Sequence, residues 1–315
     1  MALDVYNALE ASSVKESIQK YPKSYLLGSN GPDILFYYKA FPWEDQKDNK
    51  AIAAIGSLVH EKHINSFYEK ALFFIKQVQD PHRKDILTSY LAGHMMHWSL
   101  DSIAHPFVFY RSGEIAGISK YWHYRYESMI DALMVTYYKR KQLSDLKAKR
   151  FVDVSDVERR HIASFYSEML SQVFDVIVSA EVIDSAIVSF KRLLNFLYDP
   201  HNLVTPLLKG VEAVIGDPWA FSSHSVNPRI DAEFDVLNLK KDKWFNPTNL
   251  EMVSDESFIE LYEASVDLGN ILISALEEWL DGKRDNFDEI LEDRQYDTGV
   301  TSGIKMKYYD SIYEK

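Results

Sequence analysis

An all-α fold follows from three observations on the sequence. Apolar residues recur at helical spacing along nearly the whole chain. Strict apolar and polar alternation, the mark of a half-buried strand, is short and rare. Hydrophobic residues make up 46% and aromatic residues 14% of 315 positions, enough for one large core or a core with a subordinate lobe.

In chain order, the spacing predicts helices over 3–20, 50–79, 84–104, 121–142, 153–178, 181–198 and 255–281, with shorter pieces near 206–214 and 228–240. Gly28, Gly31 and Pro32 break the chain after the first helix, and Pro42 precedes the second. Pro106 is expected to end the third, because proline lacks the N–H that continues the ladder. Pro218, Pro228 and Pro247 make 215–250 an irregular connection. The expected organisation is therefore a metal-binding all-α core over 1–214 and a C-terminal helical extension over 215–315 packed on it.

The formal charge of -12 would repel polyanions at long range, so a general nucleic-acid surface is disfavoured unless bound metal inverts the local field. Cysteine is absent, which excludes disulfides, thiolate catalysis and thiolate zinc sites together. Any metal must be held by His, Asp and Glu. The opening MALDVYNALEASSVKESIQ carries Asp4 and Glu10 and no unbroken apolar run, so neither a signal peptide nor a transmembrane segment is expected, and a cytoplasmic location follows.

The stretch HMMHWSLDSIAHPF concentrates titratable residues in apolar sequence. On a helix, His94, His97, Asp101 and His105 lie at about 60°, 0°, 40° and 80°, within one narrow arc. The next helix repeats the pattern in KYWHYRYESMIDAL, where His123, Glu127 and Asp131 recur at intervals of four. An imidazole and a carboxylate one turn apart chelate well, since the backbone sets their spacing before a metal arrives. Asp131 is better placed to orient a liganding ring than to bind. Upstream, GSNGPDILFYY puts Asp33 on a tight Gly-Pro turn, and IGSLVHEKHINSFY offers His60 and His63, which periodicity alone does not separate. A lone core histidine is usually only hydrogen-bonded, and that reading suffices for His82, His161, His201 and His224. It does not suffice for two helices that would bury seven imidazole and carboxylate groups with no shared partner. Tyr37, Tyr38, Phe109 and Tyr110 are candidate pocket aromatics, with packing their more ordinary role. The stretch DGKRDNFDEILEDRQYD reads as solvated surface.

The ordered set GPD, a following histidine, His-x3-Asp-x3-His-Pro and His-x3-Glu-x3-Asp resembles the zinc-dependent phospholipase C and single-strand nuclease superfamily over roughly 25–135. That resemblance implies an all-helical hydrolase with its metal site between core helices. It implies Asp33, His60, His97 and Asp101 as ligands of one zinc, with Asp101 bridging towards a neighbouring ion, and His105, His123 and Glu127 as ligands of a second. His94, Asp131 and His63 are then candidates for an outer position around these ligands. The family's third zinc uses an early histidine, whereas here no histidine precedes His60. Either the true start lies upstream of Met1, or two ions are bound, or His94 substitutes. The last ranks lowest, since His94 stands roughly 10 Å along the helix from Asp101.

The resemblance implies a phosphodiester hydrolase that uses zinc-activated water, with Asp33 as ligand and proton acceptor. Phospholipid is the leading substrate class and peripheral membrane contact an expected partner. The alternatives are a single-strand nuclease or nucleotidase, and a non-catalytic metal-stabilised binding protein.

Overall fold

The computed structural model describes residues 1–313 except 42, 118, 147 and 232, so the expectation at Pro42 lies outside the described residues. The fold is all-α. Its helices are α1 (Ala2–Ala8), α2 (Ser13–Lys20), α3 (Pro22–Gly28), α4 (Gln46–Glu61), α5 (Ile64–Gln77), α6 (Pro81–Ser112), α7 (Ser119–Leu133), α8 (Asp156–Phe174), α9 (Ala180–Leu197), α10 (Val204–Ile215), α11 (Phe258–Leu280) and α12 (Asp288–Leu291). A tight 3-10 segment, Gly31–Tyr37, follows α3, and a π turn, Met134–Tyr138, closes α7. Among the described residues the only sheet is a hairpin of β1 (Trp244–Asn246) and β2 (Asn249–Ser254). No helix of the described residues is long and apolar enough to cross a membrane.

Several boundaries differ from the periodicity. The predicted 3–20 helix is two, because Ser12 caps a new start by accepting the Lys15 N–H at 3.2 Å. The predicted 50–79 helix is also two, broken where His63 takes φ 58°, in the left-handed region. Over 228–240 the described residues form turns rather than a helix, with Asp235 accepting the Leu239 and Lys240 N–H groups. Pro106 does not end its helix: α6 runs on to Ser112. Proline removes one ladder bond and crowds the preceding turn, but buried Phe107, Val108 and Phe109 hold the following residues helical.

Two compact units are assembled from interleaved segments. The first comprises Met1–Ile103, Lys149–Arg192 and Ala264–Ile304, the second Ala104–Ala148, Leu193–Glu263 and Lys305–Lys315, so α6, α9 and α11 each contribute to both.

The first unit is cored by Tyr25, Phe67, Tyr68, Tyr90, Trp98 and Phe165, all essentially inaccessible to water. Burying each such side chain contributes roughly 1.5–3 kcal/mol. Here α3 lies directly against α6: a Cβ on Gly28 would fall 2.1 Å from the Tyr90 carbonyl oxygen, and one on Gly93 2.0 Å from that of Tyr25. Only glycine permits that approach, which delivers the chain after α3 to the His97 end of the helix. At the head of α8, Ser155 and Glu158 form a capping box, and the other Glu158 oxygen accepts from Ser24 Oγ at 2.9 Å.

The second unit packs Phe107, Tyr126, Met129, Val236, Trp244 and Phe258. Tyr126 donates to the Val236 carbonyl at 2.8 Å, and the buried Arg125 guanidinium donates to the Arg229 carbonyl at 2.7 Å. The turn Ser222–His224 is tied to α7 by Ser128 Oγ donating to the Ser223 carbonyl at 2.9 Å and by Tyr124 stacking on His224 at 4.1 Å.

Candidate metal centre

The first cluster is built by three short structural decisions. Asn30 donates to the Leu26 carbonyl at 2.8 Å, which ends α3. Gly31, at φ 48°, and Pro32 then turn the chain into the 3-10 segment that presents Asp33. Asn49 of α4 donates to the Phe36 and Tyr38 carbonyls at 3.1 and 2.7 Å, holding that segment against the helix that carries His60. His97 and Asp101 follow on adjacent turns of α6.

These elements bring Asp33, His60 and His97 together, with one ligand atom of each within 4.8 Å of the others. His60 Nε2 lies 3.1 Å and His97 Nε2 3.9 Å from Asp33 Oδ1, and Asp101 Oδ2 lies 3.0 Å from His97 Nε2. The His60 ring is fixed by its Nδ1, 2.8 Å from the Gly56 carbonyl oxygen. A carbonyl only accepts, so Nδ1 keeps a proton there and Nε2 is the nitrogen turned towards the cluster. Burial opposes a charge on His60, but the hydrogen bond and charge of Asp33 outweigh it, and the ring is pushed up to about 9.

These residues fit a zinc ion. His97 Nε2 is buried and makes no hydrogen bond, although carboxylate oxygens stand around it. Leaving such a nitrogen unsatisfied costs roughly 1–3 kcal/mol. Ligands on a tetrahedral zinc stand about 3.3 Å apart, which the 3.0 to 3.9 Å separations bracket. His60, His97 and Asp101 are buried while the Asp33 side chain is 39% exposed, so the cluster opens to solvent on the side of Asp33.

In the second unit, His105 of α6 and His123 of α7 flank Glu127, each Nε2 lying 3.3 Å from Glu127 Oε1. His123 Nδ1 lies 3.0 Å from Ser112 Oγ, which sets the ring's orientation. Burial acts to raise the Glu127 carboxyl, but the two imidazoles prevail and hold it well below the usual carboxylate range. The set offers two nitrogens and a carboxylate, the donors that zinc takes when protein supplies three of its ligands. Phe109 packs on the His123 ring at 4.5 Å.

The remaining candidates stand apart. His63 is exposed and meets Phe174 edge-on at 5.8 Å. Asp131 is exposed, one turn beyond Glu127. His94 is fully buried, stacked on Phe67 at 4.9 Å with its Nδ1 3.0 Å from Tyr68 Oη. Burial first, and then the neighbouring rings of His97 and His60, keep it neutral well below the usual histidine range. Of the candidate aromatics, Tyr37 packs on Phe190 at 4.7 Å and Tyr110 on Phe245 at 5.8 Å.

One residue of the site escaped the sequence reading. Tyr296 belongs to the acidic stretch expected to be solvated surface, yet it is buried, with its ring 5.0 Å from His60 and 5.6 Å from His97. Its N–H donates to the His60 carbonyl at 3.1 Å. Phe287 and Leu291 of the same stretch are buried too, and their spacing, with Tyr296 beyond, was the available signal.

Residues 1–176 match the family model described as zinc dependent phospholipase C. No curated protein and no solved structure matches the chain. The match takes in more than half of the 315 residues and includes Asp33, His60, His97, Asp101, His105, His123 and Glu127. With its buried Asp and His cluster and its all-helical fold, the chain belongs to the zinc-dependent phospholipase C family, and is a metal-dependent phosphodiester hydrolase.

Proposed function

We propose that the substrate is a phospholipid, cleaved at the phosphodiester between glycerol and headgroup, and that two zinc ions serve the reaction. One ion is assigned to Asp33, His60, His97 and Asp101, the other to His105, His123 and Glu127. The observation that carries this reading is the buried His97 Nε2, which faces two carboxylates without a hydrogen bond. Zinc bound at such ligands supplies Lewis acidity, which offsets phosphate charge and makes a water molecule a stronger acid.

The chain's own groups do the rest. Asp33, the solvent-reaching member of its cluster, takes the proton from the attacking water. Water oxygen bonds to phosphorus as the bond to the glycerol oxygen breaks, and the proton received by Asp33 passes to that oxygen, which leaves as the alcohol of diacylglycerol, so no side-chain nucleophile is needed. His60, tethered to the Gly56 carbonyl, and His123, oriented by Ser112, hold their rings in one attitude throughout. Glu127 stays ionised at any pH where the enzyme would work, since the two flanking imidazoles favour its charged form.

The test combines a metal count with a substrate panel. Protein never exposed to chelator should carry two zinc ions per chain and release phosphorylated headgroup from phosphatidylcholine. Asp33→Asn should abolish release. Cleavage of single-stranded oligonucleotide but not lipid would replace this reading with a nuclease, and zinc without hydrolysis of any phosphodiester would leave a metal-stabilised binding protein.

A further inference from the structure

The helix α10 displays a surface that the reaction does not use. Leu203 just before it, and Leu207, Val211, Val214 and Ile215 within it, are 70%, 72%, 51%, 88% and 54% exposed. At 100° per residue these five fall in an arc of roughly 120°, along one side of the helix. Lys209 is the only charged residue exposed on α10, and its ammonium is folded over the Trp219 ring at 5.0 Å. The only acidic residue, Glu212, is buried.

The apolar face is held out by buried polar bonds on the opposite side. Asp199 accepts the N–H groups of Leu203, Val204 and Thr205 at 2.7, 2.9 and 2.7 Å, capping the start of the helix. Glu212 accepts the N–H groups of Phe221 and Ser222 at 2.8 and 2.6 Å and the Ser222 hydroxyl at 2.8 Å. That ties α10 to the Ser222–His224 turn, which in turn is bonded to α7, the helix of His123 and Glu127. Aliphatic side chains on a helix anchored this firmly have no route to bury themselves within the unit.

We infer that the α10 face docks on a zwitterionic phospholipid bilayer, an inference that rests on the phospholipid reading above. Two features select this occupant. The five side chains present on the order of 500 Å² of exposed apolar surface in a single stripe one helix wide. The same area suits a helix lying in the boundary between headgroups and acyl chains. The second feature is charge: a protein of net charge -12 is repelled by an anionic leaflet, whereas α10 exposes no carboxylate of its own, and the exposed Asp217 beyond its end accepts from Tyr121 Oη at 2.9 Å.

The test uses the full zinc-loaded chain and sedimentation with phosphatidylcholine vesicles, compared with the double variant Leu207→Glu, Val214→Glu. Both positions are exposed, and an unchanged melting temperature checks the fold. The wild type should sediment with vesicles, and the variant's bound fraction should fall at least tenfold. Hydrolysis of a soluble short-chain phosphodiester should be the same for both. Wild type that stays in solution, a variant that binds equally well, or preference for phosphatidylserine vesicles would overturn the proposal. So would light scattering that shows a wild-type dimer and a monomeric variant of equal vesicle binding. Vesicle binding without hydrolysis of any phosphodiester would sustain the docking face and refute only the catalytic reading.

Discussion

Gly31 and His97 share one volume: a Cβ on Gly31 would stand 2.0 Å from His97 Cδ2 and 2.8 Å from its Nε2. The missing side chain of Gly31 is the space that the ring occupies, and its φ of 48° independently favours glycine. Gly31→Ala must therefore displace either the ring or the turn that carries Asp33. We expect zinc affinity at this cluster to fall roughly 10–100-fold, the loss typical of disturbing the surroundings of a metal ligand. Competition titration with a fluorescent chelator measures it, and unchanged affinity would show that the ring has other room.

Zinc binding at the first cluster should release protons. With the His60 ring pushed up to about 9, it is charged at neutral pH, and a metal must displace that proton. Affinity should rise with pH, about tenfold per unit at most, and level off above about 9. Calorimetry in buffers of different ionisation enthalpy counts the protons. In zinc-free protein the sign for stability is the opposite: the raised value stabilises the fold fully below about 6.5 and that contribution is lost as pH rises through about 9.

Glu127→Gln preserves shape and removes the charge between His105 and His123. The zinc count per chain should drop by one while the Asp33 cluster keeps its ion, and phosphodiester hydrolysis should fall at least 100-fold. Elemental analysis alongside single-turnover rates separates loss of metal from loss of chemistry.

His224 gives the fold an acid limit of its own. Its partly buried ring is lowered from 6.5 to about 4, chiefly by burial, with Glu127 opposing and His123 and Lys120 assisting. A depressed value means the stabilising neutral form is fully in place above about 6.5, and its contribution is lost as pH falls towards 4. At ~1.4 kcal/mol per unit the loss is on the order of 3 kcal/mol. His224→Phe keeps the stack on Tyr124, so its urea midpoint should decline less than the wild type's between pH 7 and 4.5.

The helices and the clustering of the candidate residues were legible because both obey one period. His97 and Asp101, or His123 and Glu127, must lie one turn apart to converge, and that interval is visible in the letters. Pro106 misled because local backbone chemistry argues for a stop, whereas packing of Phe107 and its neighbours carries α6 onward. The 3–20 helix hid a break because a Ser12 cap overrides continuous periodicity. The role of Tyr296 was missed for another reason: the acidic composition of its stretch masks the apolar spacing of Phe287, Leu291 and Tyr296, all of which packing buries. The outward face of α10 was hidden similarly, since an apolar stripe reads the same whether it is covered or bare.

The bond from Tyr296 to the His60 carbonyl sets a minimum length for this protein. It is accompanied by Gln295 donating to the Glu61 carbonyl at 3.2 Å and Trp98 Nε1 donating to that of Arg294 at 2.9 Å. A chain cut after residue 176 would retain every candidate ligand and the whole of the family match, yet its histidine helices would lose the lining against which they are set. The late segment thus belongs to the surroundings of the candidate metal centre, and fragments or fusions made from the matched region alone should be unable to assemble it.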